Sequence, residues 1–183
     1  MIYKDIKDIK LTDLLEMQRQ LDEEVVKPRD NGFVPRETCI LDLTLALDDE
    51  FQEWLRELPD KYNFKVWKQK VWDREKEITE ITDCLFFFLK LFDRGELYPL
   101  REFWCVDEAF DKFREDIEIK YLRKEILDFK KCIWDGEYGE AFYAWIHICK
   151  LRGFTKEDVI KTYLNKWKKN MHRIKEDWTK WKI

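Results

Sequence analysis

The sequence predicts an all-α protein, a single-domain bundle of six or seven helices, and three observations predict it. Only five Gly and four Pro interrupt 183 residues, so turns are few and connections short. No stretch alternates β-branched with polar residues, which removes the signature of a half-buried strand. Apolar residues recur instead at three- and four-residue intervals, the period of a helix with one buried face. One domain is expected over residues 1–183, because a chain of this length fills one core and not two.

The elements follow in order. Thr12 is expected to cap a helix carrying Leu14, Leu15, Met17, Leu21, Val25 and Val26, which stops before Pro28. Residues 27–35 hold Pro, Asn and Gly and read as a loop. From Arg36 to Leu58, the residues Ile40, Leu43, Leu47, Phe51, Trp54, Leu55 and Leu58 keep helical spacing, and Pro59 ends the run. A second long helix is expected over Asp73 to Phe92. Its later half, CLFFFLKLF, is apolar nearly all round and must enter the core. After the break at Asp93-Arg94-Gly95, amphipathic segments follow at about 102–115, 118–134 and 137–151. Gly153 closes the last of these, and Thr155 with Asp158 forms a capping box for a final helix bearing Val159, Ile160 and Tyr163.

Composition excludes several function classes. The 35 basic and 39 acidic residues nearly cancel, to a formal net charge of −4, so bulk electrostatics give no reason to expect nucleic-acid binding. The stretch from Lys161 to Lys182 is locally basic and suits a small anion or a solvated face. Five Cys lack CxxC or Cys/His metal spacing, which disfavours zinc and disulfide frameworks and predicts a reducing, cytoplasmic setting, the host cytoplasm if the source is viral. The start, MIYKDIKDIKLTDLL, is too charged for a signal peptide, and the apolar run from Cys84 to Leu89 is too short to cross a membrane. The nine Trp and thirteen Phe are expected to build the core and a dimer face.

The chemistry points to two acid pairs. Glu50 and Glu53 lie three apart on one long helix, and Glu80 and Asp83 three apart on the next. Residues i and i+3 share a helix face with a rise of about 4.5 Å between them. Other pairs at this spacing, such as Asp13/Glu16 and Glu137/Glu140, are read as surface. Glu50 borders the apolar arc of Leu43, Leu47, Phe51 and Trp54, and Asp83 precedes the most apolar stretch of the chain. Four carboxylates meeting where helices begin to bury repel one another unless a cation neutralises them. An all-oxygen set suits Mg²⁺ or Mn²⁺ over zinc. A di-iron bundle needs Glu-x-x-His pairs, and neither His147 nor His172 has Glu three residues before it. Carboxylate-held Mg²⁺ completes its shell with substrate phosphates, which implies phosphoryl transfer to water. No P-loop or kinase signature is present, so side chains must grip the phosphates. Lys166, Asn170 and Arg173 fall on one stripe of the final helix, with Tyr163 one turn earlier.

These segments resemble a family. LLEMQRQLDEEV at 14–25, ALDDEFQEWLREL at 46–58, NFKVWKQK at 63–70, EITDCLFFFL at 80–89 and TYLNKWKKNMHR at 162–173 are similar in order and spacing to the dimeric all-α dUTPases, a branch of the all-α NTP pyrophosphatase superfamily that includes phage enzymes. Residues 93–152 match only as generic helices. The resemblance implies Mg²⁺-dependent hydrolysis of dUTP to dUMP and pyrophosphate, and often of dUDP, by a homodimer with sites near the subunit interface. It makes Glu50, Glu53, Glu80 and Asp83 the metal ligands, with Glu50 or Glu53 also orienting and deprotonating the attacking water. It puts Gln18 and Asp22 near base and sugar, has Lys65 and Trp67 line the nucleotide pocket, and joins Tyr163 to Lys166, Asn170 and Arg173 in a phosphate-binding stripe. Two positions depart from the family pattern: Arg56 stands where Asn is expected, and Phe86 where many relatives have His. The competing readings are an all-α pyrophosphatase for another deoxynucleotide such as dCTP, and a non-enzymatic helical dimer that regulates a partner.

Overall fold

The computed structural model describes residues 5–29, 32–96, 107–108, 110–114 and 121–176. Six α-helices are bounded among them: α1 Leu11–Val25, α2 Ile40–Glu57, α3 Arg74–Asp93, α4 Leu122–Asp135, α5 Tyr138–Leu151 and α6 Lys156–Glu176. The described residues contain no strand. The expected helix at 102–115 falls largely outside the described residues; 107–108 and 110–111 are helical, and Lys112–Arg114 form a 3-10 turn.

Helix starts are where the structure corrects the sequence. Thr12 is not the cap of α1. The helix begins at Leu11, the Asp13 carboxylate accepts the Lys10 N–H at 2.9 Å, and the Thr12 N–H and hydroxyl donate to Asp107 at 3.1 and 3.0 Å. A free N–H of the first turn is thus satisfied from 95 residues away, which no local pattern reveals. Likewise α2 starts at Ile40 and not Arg36, because Asp42 accepts the Cys39 N–H at 2.8 Å and clamps the Arg36 guanidinium at 2.5 and 2.6 Å. The foreseen capping box of α6 is present, with Thr155 N–H on Asp158 and Asp158 N–H on Thr155, both at 3.1 Å. Gly136 at φ +78° and Gly153 at φ +73° end α4 and α5 in the left-handed conformation that glycine adopts without a Cβ penalty.

The all-round apolar half of α3 explains its place at the centre, where it packs against α1, α2, α5 and α6. Phe51 of α2 stacks on Phe129 of α4 with centroids 3.8 Å apart, and Phe88 of α3 meets Phe142 and Trp145 of α5. The Trp145 indole donates to the Ile81 carbonyl at 2.9 Å. That bond fixes α5 against the α3 turn that carries Asp83.

The connection from α2 to α3 is pinned at several points. The buried Asn63 amide donates to the Leu58 carbonyl at 3.2 Å and accepts from the Lys65 N–H at 2.9 Å. The Lys70 ammonium reaches Glu57 and the Arg56 carbonyl. The Trp72 indole donates to Glu77 at 2.6 Å, and the Arg152 guanidinium grips the same carboxylate at 2.6 and 3.0 Å. Glu77 is fully buried, so it depends on these donors. The loop nevertheless turns Phe64, Val66, Trp67 and Val71 outward.

Candidate active site

Adjacent packing of α2 and α3 brings three of the four predicted carboxylates together. Glu50, Glu80 and Asp83 each place an oxygen within 4.8 Å of the other two, and all three are half-buried. Glu53 is exposed and lies outside this trio, yet its charge is close enough to raise both Glu50 and Asp83. Burial pushes the Glu50 carboxyl up to about 7, helped by Asp83, Glu53 and Glu80 and opposed by Lys166. Burial likewise pushes Asp83 up to about 6, although the Lys166 ammonium contacts it directly and pulls the other way. The ammonium of α6 reaches the trio at Asp83, and it does not offset the repulsion among the acids. An oxygen-only donor set with this surplus of negative charge fits a divalent hard cation.

A thermal consequence follows. Both carboxyls are raised in the folded protein, so they favour the fold while protonated. That contribution is complete below the ordinary carboxylate range and is lost as pH rises through about 6 for Asp83 and about 7 for Glu50. In chelator-treated protein, Tm is expected to fall between pH ~4 and ~8, and Glu50→Gln to flatten the fall. Calorimetric scans across that range check this; equal slopes for both proteins would refute it.

Beside the trio is a cavity of about 290 Å³, bounded by α1, α2, α3 and α6. Glu50 and Asp83 form one wall, Asn170 and Arg173 another, and Gln18 a third. Asp22 stands just behind that third wall: it accepts from the Gln18 amide at 2.9 Å and pairs with Lys90 at 2.9 Å. Apolar surface comes from Leu21, Val25, Phe86, Phe87 and Ile174. Charged and apolar side chains in one cavity suit a ligand with an anionic part and an apolar part.

Three predicted contacts are placed differently. Tyr163 does not line the cavity: it is fully buried, stacked on Phe86 with centroids 4.4 Å apart, and its hydroxyl is spent on Gln18 at 3.1 Å and the Leu14 carbonyl at 3.3 Å. Lys65 and Trp67 do not line it either. They sit on the α2–α3 loop, Lys65 over the Phe64 ring and Trp67 exposed. Conversely, Lys90 and Phe87 are not among the expected site residues, yet both line the cavity. The signal was available, since Asp83, Phe87 and Lys90 fall at i, i+4 and i+7 on one face of α3. The two departures also find their places. Phe86 is the platform under Tyr163, and Arg56 is exposed beyond the cavity, with its carbonyl holding Lys70.

A helical bundle in which two neighbouring helices converge their carboxylates near the basic stripe of a third suits hydrolysis of phosphate anhydrides. The sequence model of the dUTPase family matches residues 10–178, nearly the whole chain. The chain belongs to this family, the all-α dUTPases, and is a dUTP diphosphatase. That membership sets aside the non-enzymatic reading. No curated protein matches the chain significantly. None of the helices among the described residues is long and apolar enough to cross a membrane.

Proposed function

We propose that the acid trio and Glu53 hold Mg²⁺, with Mn²⁺ as a substitute, and that the enzyme works as a homodimer on dUTP and also on dUDP. The observation that carries the metal reading is the approach of Glu50, Glu80 and Asp83 to within 4.8 Å beside the cavity. When bound, the divalent cation neutralises phosphate charge and lowers the pKa of water at the site. Glu50 or Glu53 accepts the proton of the attacking water. The water oxygen bonds to the α-phosphorus of dUTP, the bond from that phosphorus to the oxygen bridging it to the β-phosphorus breaks, and pyrophosphate leaves with the electron pair on that oxygen. Lys166, Asn170 and Arg173 hold the phosphates, while Gln18 and Asp22 face base and sugar.

Exposed apolar side chains support the dimer. Leu41 and Leu45 lie one turn apart on α2, and Leu127 and Trp134 two turns apart on α4, the helix that packs against it. Unpaired apolar surface on neighbouring helices favours a covering partner. Lys65 and Trp67 stand away from the cavity of their own chain, so a part for them in nucleotide binding calls for the second copy.

One set of measurements tests this reading. Purified protein is treated with chelator and offered dUTP, dUDP, dCTP, the other dNTPs and the rNTPs, with and without Mg²⁺, while light scattering gives its mass. The expected result is twice the chain mass and pyrophosphate release from dUTP only when Mg²⁺ is restored. Undiminished turnover after chelation would overturn the metal assignment, and a monomer at full activity would overturn the dimer.

A further inference from the structure

The Lys90 ammonium lies 2.9 Å from the Asp22 carboxylate, and the carboxylate oxygen it meets also accepts from the Gln18 amide at 2.9 Å. Asp22 belongs to α1 and Lys90 to α3, so the pair bridges two of the helices that wall the cavity. The ammonium also stands 5.9 Å from the centre of the Phe87 ring, another lining residue. Both side chains keep part of their surface exposed, so the fold itself draws little on the pair.

Charge balance gives the pair a consequence for binding. The residues lining the cavity bring two carboxylates, Glu50 and Asp83, and two cations, Lys90 and Arg173. Asp22 adds a third carboxylate just behind the wall, through its bond to Gln18. A nucleoside triphosphate carries negative charge of its own, and like charges brought together in a partly desolvated site oppose binding. A cation held by the acid trio neutralises the end of the cavity where Glu50 and Asp83 stand. Lys90 stands away from that end: it is seven residues beyond Asp83 on the same face of α3, a rise of about 10 Å. Its ammonium is engaged by Asp22 and lies near the Phe87 ring, which suits it to cancel the Asp22 charge and not to grip a phosphate.

We propose that Lys90 is a positioning residue for nucleotide binding that acts through Asp22: its ammonium cancels the Asp22 charge, so that this carboxylate holds Gln18 at the cavity wall without repelling an anionic substrate. The inference rests on the cavity being the nucleotide site proposed above.

The experiment is a double-mutant cycle read as KM and kcat for dUTP. Lys90→Met keeps the stem and removes the charge. KM is expected to rise about tenfold, the scale of one uncancelled charge in a partly buried site, with kcat within about threefold of wild type. The same change is then made in Asp22→Asn, whose amide oxygen still accepts from Gln18 but carries no charge. There the rise in KM from Lys90→Met is expected to shrink below about threefold, because no charge is left to cancel. A rise of equal size in both backgrounds would mean that Lys90 acts by packing or touches the substrate itself, and would overturn the proposal. So would an unchanged KM in Lys90→Met alone. Lys90→Gln is a second arm, independent of how well Lys90→Met folds. It is neutral yet able to donate to Asp22, and it is expected to raise KM as Lys90→Met does; a wild-type KM would show that a hydrogen bond suffices and that the charge is idle. Wild type that turns over dUTP alongside any of these contrary results sinks only this inference. Wild type inert toward dUTP with Mg²⁺ sinks the nucleotide-site reading with it.

Discussion

Glu50→Gln is expected to lower kcat on dUTP by on the order of 10³-fold, the scale of losing a positioned proton acceptor, while far-ultraviolet circular dichroism stays that of wild type. Glu50 belongs to the acid trio and lines the cavity, the one carboxylate of α2 to do both. Its carboxyl rises to about 7, first through burial and then through its acidic neighbours. A group poised near neutrality is suited both to take a proton from water and to release its own when a cation enters. Gln keeps the volume and the amide's hydrogen-bonding reach but can do neither. The fold does not depend on the lost charge, because in the metal-free protein that charge is repelled by Asp83, Glu53 and Glu80. Steady-state rates at saturating dUTP, read beside thermal melts, check both halves. A rate within tenfold of wild type would remove Glu50 from the chemistry.

Arg152→Ala is expected to act in the opposite way, with a large loss of stability and little loss of kcat in the protein that remains folded. Glu77 has no exposed side-chain surface, and Arg152 supplies two of its three hydrogen bonds. Removing one partner of a buried pair strands the other charge, at a cost of about 3–5 kcal/mol. For a chain of this length that is a fall in Tm of roughly 6–20 °C. Arg152 also covers the Tyr62 and Trp72 rings, with centroids 5.1 and 5.9 Å from its guanidinium, so the α2–α3 loop loosens with it. Calorimetry measures the first effect, and kcat at a temperature well below the melt measures the second. A Tm within about 2 °C of wild type would show that Glu77 finds other donors.

Much of the site was legible because its geometry is helical. Carboxylates three apart on α2 and α3 share a face whatever else the chain does, and α3 had to be central because its later half is apolar nearly all round, Lys90 being the exception. The Lys166, Asn170, Arg173 stripe follows from the same period. Where the reading stopped short, the missing information was the distance between elements. Nothing in the spacing says that Glu53 is turned toward solvent while Glu50 enters the cavity, since both lie on the same side of α2 and differ by one turn in depth. Nor does it reveal that the Tyr163 hydroxyl is used up on Gln18, 145 residues earlier.

The chain itself determined its helical class, the stops at Pro59, Gly136 and Gly153, the two acid pairs and the basic stripe, all set by propensity and by a 3.6-residue repeat acting over a few turns. Tertiary structure decided which of these side chains meet. It capped α1 with Asp107, buried Glu77 under Arg152 and closed three carboxylates to within 4.8 Å. The physical reason is one of range: helix geometry places neighbours three or four residues apart, whereas burial and charge repulsion depend on what packing brings from the far end of the chain.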